Sequence, residues 1–385
     1  MRIFTSIALI LLTISGSAAP LSEKIVEKQM EAAPEAVYLD GMQGKRKWNY
    51  TTGLELKSFL DVYRRCEDKA ILRYVKGWYD VMIGEGGAIY SYKKENYNLD
   101  HVCPGVALFD IYELTGDSKY RAAIETLRGQ LRTQPRTPEG GFWHKKVYPQ
   151  QMWLDGLYMG EVFYARYAVT FEKGKARADS FKDIVKQFTT VGEHCYDPVT
   201  GLYRHAWDSS RESSWCDPES GQSAHAWGRA MGWYAMALAD VIEIMPAGTK
   251  GRAKLVKILQ DILVQLPKYA DPQTGMWYQV LDCPGREGNY TEATCSAMFA
   301  YTLLKADRLG ILPKDAPDPV KTYEALLKTF VDEDLNLLRC CAVAGLGGKQ
   351  NRSGKYDYYI NETICANDPK GIGPLVWAAL EYEAR

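Results

Sequence analysis

The sequence predicts an all-α fold, a closed toroid of helical hairpins. Two observations carry that reading. Apolar residues recur at helical spacing through Ile71–Ile83, Tyr120–Leu131, Leu157–Thr170, Ala226–Ile244, Ala253–Leu266, Thr294–Ala306 and Val320–Phe330. Between these stretches lie short turn-rich pieces that end on an aromatic residue. Asp197-Pro198-Val199-Thr200-Gly201-Leu202-Tyr203 and Asp271-Pro272-Gln273-Thr274-Gly275-Met276-Trp277 repeat one pattern, and Thr137 to Trp143 is a looser copy. Asp-Pro opens a turn, glycine supplies the positive φ, and the aromatic residue starts a short extended piece. Helix, turn, short strand and helix, repeated at intervals of roughly 50 to 75 residues, form an internal-repeat architecture. Too few strands are present for a parallel sheet, and no glycine-rich phosphate loop follows a strand. An α/α barrel is the simplest closed solution. Its turn loops gather at one mouth, where polar and aromatic residues are exposed to a ligand.

With 385 residues and 46% hydrophobic content, the chain is long enough to bury a large core. Its charges nearly cancel, 47 basic against 48 acidic residues without a block of one sign, which argues against a nucleic-acid partner. The N-terminus has the form of a secretory signal: Met1-Arg2, an apolar run from Ile7 to Ile14, then Gly16-Ser17-Ala18-Ala19. That run is too short to span a membrane, and no later segment is apolar enough to do so. The expected organisation is a signal peptide over 1–19 and one catalytic barrel over 20–385, periplasmic or secreted, with no membrane insertion after cleavage. Oligomeric state is open. Nine cysteines is an odd count with no C-x-x-C pair, so they are read as core residues with room for one or two disulfides, and no metal site is predicted.

Asp155 stands out among candidate catalytic groups. It is the single carboxylate within an apolar, aromatic stretch, Met152-Trp153-Leu154-Asp155-Gly156-Leu157-Tyr158. Burial there is expected to raise its pKa, so that it holds a proton near neutral pH as a general acid. A capping or hydrogen-bonded core aspartate is an equal alternative from this segment alone. His144 and Lys145 lie just upstream. In His225-Ala226-Trp227-Gly228-Arg229-Ala230-Met231-Gly232-Trp233 an arginine flanked by tryptophans, Trp227 and Trp233, suits a carboxylate held beside an apolar ring face. The competing reading pairs Arg229 with a structural acid and places both tryptophans in the core. Asp100 and His205 follow turns as loop hydrogen-bonders, and Glu292 reads better as a helix cap. One embedded acid, a second carboxylate, cations and several tryptophans together equip a site for an anionic sugar.

The run from Gly140-Gly141-Phe142-Trp143-His144-Lys145 through Gln151-Met152-Trp153-Leu154-Asp155-Gly156-Leu157-Tyr158-Met159-Gly160 resembles the unsaturated rhamnogalacturonyl hydrolases, relatives of the unsaturated glucuronyl hydrolases. Gly201-Leu202-Tyr203-Arg204-His205-Ala206-Trp207-Asp208 and Trp227-Gly228-Arg229 through Gly232-Trp233 follow in the family's order. The resemblance runs from about Trp78 to the end. It implies a six-hairpin (α/α)6 barrel, without cofactor, that removes a 4,5-unsaturated uronic acid from the non-reducing end of lyase-generated oligosaccharides. Under it Asp155 is the general acid/base and Asp100 the second carboxylate. His144, Lys145, His205, Trp227, Arg229 and Trp233 contact substrate. Met231 stands where many relatives carry an amide, which implies a changed subsite around Arg229. A conventional inverting glycosidase or sugar epimerase on the same barrel, and a non-catalytic glycan-binding protein, are the alternatives.

Overall fold

The computed structural model describes residues 19–41 and 45–385, which fold as thirteen α-helices and three two-stranded ribbons. The helices are α1 (Leu21–Ala32), α2 (Tyr50–Cys66), α3 (Lys69–Met82), α4 (Gly105–Thr115), α5 (Ser118–Arg132), α6 (Leu154–Phe171) and α7 (Gly174–Cys195). They continue as α8 (Gly228–Ile244), α9 (Arg252–Gln265), α10 (Ala293–Arg308), α11 (Pro319–Phe330), the one-turn α12 (Tyr356–Ile360) and α13 (Pro369–Glu383). The proposed signal segment up to residue 18 lies outside the described residues.

Six of these helices, α2, α4, α6, α8, α10 and α13, pack each on the next, and α13 returns to α2, closing a ring. The others form an outer layer, in which α3, α5, α7, α9 and α11 pair with the inner helix before them and α1 packs on α13. This is the expected (α/α)6 barrel. Composition explains the sorting. The inner helices α6, α8 and α10 are buried almost all round, whereas the outer α5, α9 and α11 bury one stripe each.

The seven helices read from the sequence are present, with ends within about three residues of expectation. The turn motif is reproduced at both copies. Asp197 accepts from the backbone N–H of Val199 and from the Thr200 hydroxyl, and Asp271 accepts from the N–H and hydroxyl of Thr274. Gly201 and Gly275 then take φ of 72° and 73°. The ribbons pair β1 (Gln151–Trp153) with β4 (Ala206–Asp208), β2 (Tyr196–Asp197) with β3 (Leu202–Tyr203), and β5 (Cys340–Cys341) with β6 (Ile364–Cys365), all antiparallel.

Because each outer helix runs opposite to its inner partner, all six inner helices start at one end of the barrel. Backbone hydrogen bonds lace the loops together there. Leu99 N–H donates to His144, Leu154 to His205, His205 to His225, Gly228 to Gln279, and Ala293 to Arg339. The mouth therefore collects six helix N-termini, whose free N–H groups and dipoles favour negative charge. Close approach sets the ring's geometry where α2 meets the start of α4. A Cβ on Gly53 would stand 2.5 Å from Pro104 Cβ and 2.7 Å from its Cα. Gly53→Ala is expected to lower unfolding free energy by about 1–3 kcal/mol through overpacking of backbone on backbone. Denaturant titration measures it, and an unchanged midpoint would contradict this contact.

Candidate active site

Asp155 occupies the first turn of α6 directly behind β1, which pairs with the strand that follows His205. The pairing puts Asp155 Oδ2 3.2 Å from His205 Nε2. Both atoms are buried and face each other, with no better-aligned partner among the described residues. A carboxylate only accepts, so Nε2 carries a proton toward it. Tyr359 of α12 meets the other ring nitrogen. Its hydroxyl stands 2.7 Å from Nδ1, and burial pushes its phenol far above the ordinary value, so it stays protonated. Asp155, His205 and Tyr359 thus form one polar chain.

The electrostatics correct one expectation. Burial pushes the Asp155 carboxyl upward, but its neighbours, His205 first and then His144, outweigh that and hold the group below its usual value. The unliganded acid rests ionised, so the proton it would use must arrive with substrate binding.

Asp100 lies on the wall beside it. Its Oδ2 pairs with Lys145 Nζ at 2.5 Å and its Oδ1 lies 3.5 Å from His144 Nε2. Burial raises the Asp100 carboxyl, and Lys145 foremost more than reverses that, so Asp100 is ionised. His144 differs from the cationic side chain a substrate contact would suggest. It is 2% exposed, stacks on Trp153 with ring centroids 4.6 Å apart, and burial drives its pKa down to about 4. It is a neutral spacer beside Asp100, while Lys145 stays partly exposed.

Arg229 sits in the first turn of α8, under the indole of its N-cap residue Trp227, with the guanidinium carbon 4.5 Å from the ring centroid. Nη1 donates to the carbonyl of Cys341, while Nε is buried without a partner. Trp227 is itself held from both sides, stacked on Tyr359 and donating Nε1–H to Gln279. Trp233, one turn below Arg229, is 1% exposed and packs on Tyr158 and Tyr50 inside the ring, with no face open to a ligand. Met231 does not alter the Arg229 subsite as expected. It points behind α8, where its sulfur accepts from Tyr203 N–H at 3.3 Å. Glu292 is the helix cap anticipated for it, with Oε2 accepting from Cys295 N–H and Oε1 from Cys341 N–H.

Tyr359, Tyr50 and Gln279 were not among the sequence candidates. Tyr358-Tyr359 in a polar loop gives no periodicity, and Tyr50 lies in a segment whose many polar residues masked an inner helix. One cluster outside the chain of Asp155 resembles a metal centre, with His225, Asp282 and Cys283 within 4.8 Å of each other. Arg204 already occupies Asp282 Oδ2 at 2.8 Å, so the donor set's negative charge is matched by a guanidinium.

His205→Gln is expected to remove the imidazole that holds the Asp155 carboxyl down and let burial raise its pKa. A carbon-13 titration of the labelled aspartate carboxyl reports this directly. Wild type then holds its ionised form to lower pH, so stability drawn from Asp155 is lost only as pH falls through that depressed value. An unchanged titration in the variant would show that His205 does not set the charge state.

Comparison with known proteins converges on the same barrel. Residues 21–385 match the profile of Glycosyl Hydrolase Family 88. A solved glycoside hydrolase from family 105 of C. acetobutylicum ATCC 824 superposes with a TM-score of 0.89 at 42% identity, covering 95% of this chain and 100% of that one. Protein Atu3128 of Agrobacterium fabrum is 38% identical over 237 residues, 58% of this chain and 97% of that protein. The unsaturated rhamnogalacturonyl hydrolase YesR of Bacillus subtilis is 28% identical over 268 residues, 68% of this chain and 72% of YesR. The match starts well before Trp78 and takes in α1 and α2. The chain is a glycoside hydrolase and belongs to Glycosyl Hydrolase Family 88.

Proposed function

We propose that the enzyme removes a 4,5-unsaturated uronic acid, favouring unsaturated galacturonic acid, from the non-reducing end of lyase-generated oligosaccharides such as rhamnogalacturonan fragments. The observation that carries the reading is the buried Asp155–His205–Tyr359 chain at the mouth, with the unpartnered Arg229 Nε and the ionised Asp100–Lys145 pair. Family membership and the likeness to YesR support the substrate class.

Such a substrate carries an enol-ether double bond between C4 and C5. A conventional glycosidase flanks the anomeric bond with two carboxyl groups. Here the first step needs a proton at C4. The uronate brings a negative charge and excludes water, and both effects push the Asp155 carboxyl upward against the bias of His205. A proton taken up as substrate binds then resides on Asp155 and passes to C4, leaving an oxocarbenium-like centre at C5. Ionised Asp155 takes a proton from water as that water adds to C5, with Asp100 helping to orient it. The hemiketal opens and rearranges, and the remaining sugar leaves without attack at C1. Arg229 and Lys145 supply the positive charge for the uronate carboxylate, and Trp227 holds the Arg229 guanidinium in place. The N-terminal sequence supports export to the periplasm or medium, where polysaccharide lyases leave such ends.

Loss of ultraviolet absorbance by the conjugated C4–C5 double bond tests the reaction. Asp155→Asn keeps the shape and is expected to lower kcat by more than about 10³-fold with binding retained. Decay with the Asn variant, or none with the wild type on any unsaturated uronide, would overturn the proposal. Decay with unsaturated glucuronides alone would move the specificity and keep the chemistry.

Tyr359→Phe removes the partner of His205 Nδ1 and keeps the ring against Trp227. It is expected to lower kcat about 10-fold with little change in KM, and to change the pH profile of kcat/KM. An unaltered pH profile would assign Tyr359 to packing only.

A further inference from the structure

We infer that Cys340 and Cys365 are a cross-linking site, forming a disulfide when the chain folds in the presence of a disulfide oxidant. All nine cysteines are thiols in the structure, but only this pair faces across a β-ribbon. Cys340 is the antiparallel register partner of Cys365. Directly opposed residues of such a pair have Cα atoms about 4.5–5.5 Å apart and side chains on one face, inside the range that a disulfide spans.

Their surroundings agree with a shared face. Cys340 packs against the first turn of α13, where a Cβ on Gly371 would lie 3.1 Å from its sulfur. The sulfur of Cys365 lies 3.9 Å from Asp368 Oδ2, the N-cap of that same helix. Cys341, the adjacent thiol, takes the opposite side of the ribbon, where Gln279 Nε2 donates to its sulfur at 3.1 Å. The chain thus presents one well-placed partner to Cys365 and turns the other away.

The exchange balances with a small-molecule or protein disulfide as oxidant. A thiolate of one cysteine attacks R–S–S–R and releases R–SH. The second thiolate then attacks the mixed disulfide, forming Cys340–S–S–Cys365 and a second R–SH, so two cysteine sulfurs are oxidised and the reagent is reduced by two electrons. Burial pushes the Cys365 thiol up to about 11 and Cys340 higher still, so both are poor nucleophiles in the folded protein. The cross-link therefore belongs to folding in an oxidising compartment. It closes the segment 340–365, which carries Tyr359 at its far side and the Cys341 carbonyl that holds Arg229, both in the mouth.

The test refolds the reduced, denatured full chain in a glutathione redox buffer, quenches with acid and titrates thiols in denaturant. Seven free thiols are expected for the wild type, against nine before oxidation. Cys341→Ser, which starts with eight, should still lose two, whereas Cys365→Ser should lose none. Cys365 is half-buried and its serine variant is expected to fold, with a thermal midpoint on the order of 5 °C below the oxidised wild type and equal to the reduced one. Mass spectrometry of the linked peptides in the Cys341→Ser background must join residues 340 and 365. Nine thiols after oxidative refolding, a linkage to another cysteine, or loss of the bond in Cys341→Ser would overturn the assignment.

Discussion

The constraint on which the structure rests is closure of the inner ring, where the last long helix packs against the first inner one. Helix α13 buries Ile372, Leu375, Val376 and Ala379, and Gly373 lies against Leu54 of α2. Without that contact the inner faces of α2 and α13 would be left in water, which would expose apolar surface at about 25 cal/mol per Å². Closure joins residues more than 300 positions apart, so every hairpin between them must have the right length and tilt. It also forces the inner helices to run the same way, which is why their N-termini and the loops preceding them share one end.

That common end determines the chemistry available. Six helix N-termini make the mouth receptive to anions, yet the protein places two carboxylates there, Asp155 and Asp100. Each is held ionised by a cationic or hydrogen-bonding neighbour, His205 for the first and Lys145 for the second. The two partners differ in kind. Lys145 meets Asp100 on a flexible four-carbon stem, whereas His205 faces Asp155 with one ring nitrogen and gives the other to Tyr359. Two aspartates on one wall thus stand in different surroundings.

Much of this was legible in the sequence because it is local. The Asp-Pro-x-Thr-Gly turns write their own hydrogen bonds, as Asp197 and Asp271 show, and α6 and α8 announce themselves by apolar content. The acid Asp155 stood out as the single charge in such a stretch. What the sequence hid is long-range. Helix α2 reads as polar because Thr51, Thr52, Glu55 and Ser58 are buried inside the ring rather than exposed, and α13 contains Pro374 and two glycines that look like breakers. The direction of the Asp155 shift was misjudged for the same reason. Burial is visible in the neighbouring residues of the chain, whereas His205 arrives from fifty residues away through the pairing of β1 with β4.

Tyr359 shows how far that non-local dependence goes. It has no chemical signature where it stands, in a one-turn helix after a glycine-rich loop. It reaches the site only because ring closure brings the loop before α13 back over the loop before α8, where its hydroxyl meets His205 Nδ1 and its ring meets Trp227. With that hydroxyl on Nδ1, the imidazole is oriented so that Nε2 faces Asp155. The Asp155 carboxyl is therefore positioned through a tyrosine two hundred residues downstream, and the same closure that stabilises the barrel orients the imidazole at its mouth.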